Sequence, residues 1–187
     1  LSAYSGLRNI ILIGTLFGFH GLLNRSLLLD GVSEIFIVTA RITLVAFLIS
    51  LYCYKEFFSE INWSFFIKGC FTGFLAIFIP GWTFIYALKN ISSGLQSIFI
   101  STIPLFTVFW VLIFFKEERI TKIKLVSVLI GLSGLVILFF SGETGLSNEG
   151  NLITGGLLAL VGVQGLALSN ITNKKHLKYI SGKTYLL

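Results

Sequence analysis

Six long apolar runs that are almost free of charge place the strongest constraint on what this chain folds into. They cover residues 9–24, 35–54, 69–88, 90–115, 125–142 and 150–173. Arg41 is the one charged residue inside them. About 20 residues of helix cross the hydrocarbon core of a bilayer, and open strands leave backbone groups unsatisfied there. The runs therefore predict an all-α integral membrane protein, a polytopic bundle of six transmembrane helices.

Composition agrees with a lipid-embedded chain. Of the 187 residues, 55% are hydrophobic and 12% are charged, whereas about a quarter of the residues in a soluble domain are charged. The net charge of +6 comes from basic residues scattered between the apolar runs, so no nucleic-acid partner is predicted. Cys53 and Cys70 lack metal-ligand spacing. Neither a metal site nor a cofactor is predicted, and the expected partners are the lipid bilayer and a small-molecule solute.

The distribution of Lys and Arg predicts the orientation. If the N-terminus, the second and fourth loops and the C-terminal tail share one side, that side holds 11 basic residues and the other holds only Arg25 and Lys89. Short cytoplasmic loops accumulate Lys and Arg. Both termini are therefore predicted to be cytoplasmic, in a multi-pass protein of the plasma or inner membrane.

The first and sixth runs share a weak internal echo. The segment Leu16-Phe-Gly-Phe-His-Gly-Leu22 matches Leu160-Val-Gly-Val-Gln-Gly-Leu166 at both glycines and both leucines, five helices apart. Chance accounts for such a match in apolar sequence as readily as a repeat does. An odd number of helices in each repeat would invert the second copy, as in many secondary transporters.

Arg41 is the sharpest candidate for chemistry. A guanidinium inside an apolar helix must snorkel, pair or face water. One interpretation is a cavity cation that attracts a carboxylate or phosphate of a solute. The other is a structural residue that snorkels outward or pairs with Glu34, seven residues earlier on the same helix.

His20 and Asn24 lie one helical turn apart in the first run and indicate a polar face, which either lines a pathway or packs by hydrogen bonding. Trp82 and Tyr86 share a face of the third run. They are interpreted either as an interfacial aromatic belt or as an aromatic wall for a substrate.

The fourth run carries a polar stripe that includes Ser97 and Ser101, with Gln96 beside it. Such a stripe is typical of a helix that borders a water-accessible cavity, although close packing through serine explains it equally well. Gln164 in the sixth run allows the same two interpretations. Pro80 and Pro104 are predicted to kink their helices.

The acidic residues argue against catalysis, because all eight lie in loops or at the ends of runs. The sequence shows no buried pair of reactive groups and no Gly-rich phosphate loop. The chain is therefore predicted not to be an enzyme and not to be an ATP-driven pump.

Three stretches resemble the drug/metabolite transporter superfamily, specifically its EamA-type members. The first stretch runs from Tyr86 to Phe106 and ends in Pro-Leu-Phe. The second, Phe115 to Arg119, contains Glu-Arg, and the third, Ile130 to Leu138, contains a glycine pair. The segment Thr39-Ala-Arg41-Ile is similar to the second helix of these transporters.

This resemblance implies a ten-helix transporter of two inverted five-helix repeats that moves small metabolites by alternating access. Residues 7–141 would form the first repeat, 142–173 the connecting loop and first helix of a second, truncated repeat, and 174–187 a basic cytoplasmic tail. The expected activity is efflux or exchange of a small metabolite, and a homo-oligomer is allowed. The resemblance names no substrate, but Arg41 favours an anionic or zwitterionic one such as an amino acid. A non-transporting structural or assembly protein, or an inactive truncated transporter, is the alternative.

Overall fold

The computed structural model describes residues 2–52, 63–114, 122–146 and 150–174, and all regular structure within these ranges is helical. The helices are α1 (Ser2–Leu29), α2 (Glu34–Tyr52), α3 (Trp63–Gly73), α4 (Ile79–Ala87), α5 (Ser93–Ser101), α6 (Ile103–Phe114), α7 (Lys122–Ser141) and α8 (Leu152–Thr172). A π-helical turn, Phe74–Phe78, joins α3 to α4.

Four stretches of these helices are long and apolar enough to cross a bilayer. They are Glu34–Tyr52, Phe66–Ala87, Ser93–Phe114 and Leu152–Thr172. The other two predicted spans fall on α1 and on α7, whose apolar part Val126–Ser141 is shorter. The prediction of an all-helical, polytopic membrane protein is confirmed.

Both prolines lie where the regular α-helix is interrupted. Pro80 is the second residue of α4, two residues after the π-turn ends at Phe78, and Pro104 is the second residue of α6, after the break at Thr102. Proline donates no backbone hydrogen bond and its ring crowds the preceding turn. The third and fourth predicted spans therefore each consist of two helical segments in series.

Helix α8 lies at the centre of the bundle and packs mainly against α4 and α6. Its glycines permit this close approach. A Cβ atom at Gly162 would lie 2.5 Å from the Phe84 ring, and one at Gly165 would lie 2.7 Å from the Leu75 carbonyl oxygen. Half of the α8 span is buried, against 11% of the α2 span. Small residues at helix crossings are what close packing in a membrane requires.

Residues 30–33, 88–92 and the described parts of the loop after α7, 142–146 and 150–151, converge at one end of the bundle, called here the Glu34 end. The Ser92 amide donates to the Thr144 carbonyl at 2.9 Å. A buried cluster of Ile37, Val38, Ile85 and Leu88 joins α2 to α4 just inside this end. Large apolar side chains on the outer faces of α1, α2 and α7 are exposed, as lipid-facing residues must be.

The two glycines of the sequence echo are predicted to respond differently to alanine. Gly162→Ala forces a methyl group into Phe84 and Thr83, and overpacking of this kind costs about 1–3 kcal/mol. Gly18 has no described atom within 4 Å of its Cβ position. Gly18→Ala is therefore expected to leave stability unchanged or raise it by up to about 1 kcal/mol. Thermal unfolding in detergent measures both variants, and equal melting temperatures would contradict the packing of α8.

Candidate functional site

A polar cluster joins the first two helices. His20 and Asn24 lie one turn apart on α1, and the Asn24 amide nitrogen is 3.2 Å from Nε2 of His20. Nη1 of Arg41, on α2, hydrogen-bonds the same Nε2. A guanidinium only donates, so Nε2 accepts and a neutral His20 ring carries its proton on Nδ1. His20 thus contacts both Asn24 and Arg41. We call these three predicted candidates the polar cluster.

After α1 and α2, the backbone of α4 is the third element that borders the polar cluster. Nη2 of Arg41 lies 3.3 Å from the position that a Cβ of Gly81 would occupy, so a larger residue there would press on the guanidinium. Asn24 is only 7% exposed, and His20 and Arg41 are half-buried. Arg41 therefore points between helices, where its charge is met by the His20 ring.

The pairing of Arg41 with Glu34 is not formed, because Glu34 binds a different cation. Nζ of Lys89 lies 2.6 Å from Oε1 of Glu34. This hydrogen bond raises the pKa of Lys89 above its ordinary value, which keeps the ammonium charged. The side chain of Arg25 donates a hydrogen bond to the carbonyl of Leu88, the residue before Lys89. The two basic residues predicted on the sparsely charged side therefore meet at the Glu34 end.

Trp82 and Tyr86 stack with ring centroids 6.1 Å apart and an angle of 17° between their planes. The stack continues down the same face through Phe78 to Phe74. Trp82 also packs against the buried cluster that joins α2 to α4, whereas Tyr86 lies at the exposed edge. The aromatic face therefore runs from Phe74 to Tyr86, and Trp82 within it directly follows Gly81 in the chain.

The polar residues of α5 face different ways. Gln96 is 3% exposed and its amide donates to the Phe84 carbonyl at 2.8 Å. Ser97 and Ser101 are exposed, and their hydroxyls donate to carbonyls of their own helix, at 2.9 Å and 2.7 Å. The structure brings Gln96 beside Gly21 of α1, and it places both serines on the outer face of α5.

Gln164 has a partner that the sequence analysis missed. Nε1 of Trp110, on α6, donates to Oε1 of Gln164 at 2.6 Å, which ties α6 to α8. An indole N–H within a span needs an acceptor, so Trp110 itself was the available signal. The register between the two helices, which decides the partner, is a tertiary property.

Metal binding is not suggested by the described part of the chain. Within it, no group of three or more His, Cys, Asp and Glu side chains is arranged to hold an ion. The chemistry available to the polar cluster is therefore hydrogen bonding and charge.

The bond between Trp110 and Gln164 predicts energetic coupling. Trp110→Phe and Gln164→Leu each remove one partner, so their destabilisations are expected to be less than additive in the double variant. Side-chain hydrogen bonds between membrane helices contribute about 0.6 kcal/mol, with a maximum near 1.7 kcal/mol. Unfolding of the four proteins of this cycle in detergent measures the term, and strict additivity would show that the bond is absent.

The EamA-like transporter family matches residues 5–140, which is most of the chain. The match ends one residue before α7 does, and so covers the first seven helices described here. No curated protein and no solved structure matches the chain. The multi-pass helical architecture and the family match agree that this is a membrane protein, and the chain belongs to the EamA-like transporter family.

Proposed function

We propose that this protein is a secondary transporter of small anionic or zwitterionic metabolites, with amino acids the first class to test, and that Arg41 binds the solute. The observation that carries the proposal is the hydrogen bond from Arg41 to His20 between apolar helices. An arginine at the centre of a membrane helix costs about 2.5–3.5 kcal/mol on insertion scales. In a transporter, a charge placed at that cost is best explained by a solute that needs it.

The chemistry of the polar cluster suits a carboxylate. Arginine presents a planar fork of donors that matches a carboxylate with two parallel hydrogen bonds. The His20 ring occupies one donor of that fork through a neutral acceptor, which a charged carboxylate replaces with a stronger bond. The amide of Asn24, one turn along α1, adds a second group that binds a polar solute.

The other candidates take lesser parts in this proposal. Trp82 and Tyr86 form a wall for the apolar part of a solute, because Trp82 directly follows Gly81, which lies against Arg41. Gln96 supports α4 through the Phe84 carbonyl, and Gln164 supports α6 through Trp110. Ser97 and Ser101 would reach a solute only if α5 turns, since they lie on its exposed face.

We further propose the topology and cycle that the sequence suggests. Both termini lie in the cytoplasm of a cell whose plasma membrane holds the protein, because Lys and Arg concentrate on that side. Residues 7–141 act as one repeat and 142–173 as the beginning of an inverted second one. In alternating access, the helices would then move around the polar cluster, which would stay fixed as the solute site.

Transport by Arg41→Gln is the decisive test. Uptake of a panel of labelled amino acids into proteoliposomes is expected to show a rise in KM of about 10- to 100-fold, which corresponds to one lost charge-assisted hydrogen bond. Arg41→Lys keeps the charge but loses the fork, and is expected to fall between the two. Arg8→Gln is the matched control, because Arg8 is exposed far from the polar cluster on α1.

Two results would count against the proposal. If Arg41→Gln transports like Arg8→Gln, the guanidinium does not bind the solute. If the unaltered protein transports none of the labelled amino acids, the result favours the alternative of a structural membrane protein.

A further inference from the structure

Two contacts close the Glu34 end of the bundle above the polar cluster. The Glu34 carboxylate binds the Lys89 ammonium, and the Arg25 guanidinium donates to the Leu88 carbonyl. Both contacts connect the α1–α2 hairpin to the turn that follows α4. We call this pair of contacts the ionic latch. It lines a cavity of about 390 Å³ together with Ser33 and apolar residues of the α1–α2 hairpin.

Along α2 and α4, an apolar layer separates the Glu34–Lys89 pair of the ionic latch from Arg41 of the polar cluster. It consists of Ile37, Val38, Ile85 and Leu88, which are at most 6% exposed, and we call it the apolar plug. Glu34 precedes Arg41 by seven residues on α2, and Gly81 precedes Leu88 by seven residues along the third span. Seven helical residues rise about 10 Å. The same depth of packed side chains thus lies over the polar cluster on both helices.

The ion pair of the ionic latch is weak enough to break reversibly. The side chain of Lys89 is 53% exposed and that of Glu34 is 20% exposed, so water competes for both ends of the ion pair. Exposed ion pairs contribute little, and salt weakens them. By contrast, the other face of the Leu88–Ser92 turn is held by α8 and by the loop after α7, where Ile91 is fully buried and the Ser92 amide is bonded.

We infer that the ionic latch and the apolar plug form the closed gate at this end of the pathway, and that the gate opens between the α1–α2 hairpin and α4. This inference rests on the proposed transport function for its purpose. The closed gate itself follows from the contacts. Opening breaks the Glu34–Lys89 pair first, separates Val38 from Ile85, and exposes the polar cluster to solvent from the Glu34 end.

A thiol placed in the apolar plug reports the opening directly. In a background with Cys53→Ser and Cys70→Ser, Ile85→Cys puts a cysteine at a position that is 2% exposed. Its rate of reaction with a water-soluble maleimide is measured in proteoliposomes without solute. Glu34→Gln is expected to raise the rate about 2- to 5-fold, which is what the loss of one exposed ion pair allows. Val38→Cys is a second reporter, from the opposite wall.

The matched control is Asp30→Asn, because it removes one carboxylate from the same hairpin without touching the ionic latch. It is expected to leave the rate unchanged. The charge-exchanged protein with Glu34→Lys and Lys89→Glu is expected to return the rate toward that of the parent. An equal rate in Glu34→Gln and Asp30→Asn would overturn the gate, as would a rate that stays high after the exchange.

The reaction rate needs no solute, so its outcome is separate from that of the transport assay. A protein that moves no amino acid and yet shows the faster reaction in Glu34→Gln overturns the proposed function and keeps the gate. A protein that transports and shows no change in Glu34→Gln keeps the function and overturns the gate.

Discussion

The hydrogen bond between Arg41 and His20 is the interaction on which the arrangement of the first two helices depends. A guanidinium in an apolar span must find acceptors within the protein, because lipid offers none. Its partner on α1 and the missing side chain of Gly81 on α4 together form a slot that accepts the charge. The polar cluster therefore sets how α1, α2 and α4 meet, and it leaves between them the cation that the proposed function assigns to the solute.

Glycine determines the rest of the packing. Helix α8 approaches α4 and the π-turn closely because Gly162 and Gly165 leave room for Phe84 and for the Leu75 carbonyl. Helices α1 and α2 make fewer such contacts, and their apolar side chains remain exposed. The bundle is thus tight around α8 and looser at the α1–α2 hairpin. This difference is the physical reason for locating movement at the hairpin, with the ionic latch as its reversible tie.

The apolar runs were enough to predict the helices, because a bilayer leaves a spanning backbone few alternatives to the helix. Arg41 was conspicuous for the same reason, as a charge where none is expected. The partners were not predictable. Glu34 on the same helix was a reasonable partner for Arg41, but Glu34 instead binds Lys89, which lies across the bundle. The acceptor of Trp110 and the burial of Gln96 depend likewise on how helices cross, which residue spacing along one helix does not contain.

The distance between the Arg41 guanidinium and the His20 imidazole in a lipid bilayer decides whether the polar cluster exists. The chain has only two histidines, so labelling of His and Arg side chains gives an interpretable dipolar-recoupling spectrum in solid-state NMR. We expect a contact between the two side chains that Arg41→Lys removes. A guanidinium that instead shows contacts to lipid phosphate and none to His20 would mean that Arg41 snorkels to the headgroups and that the polar cluster does not form.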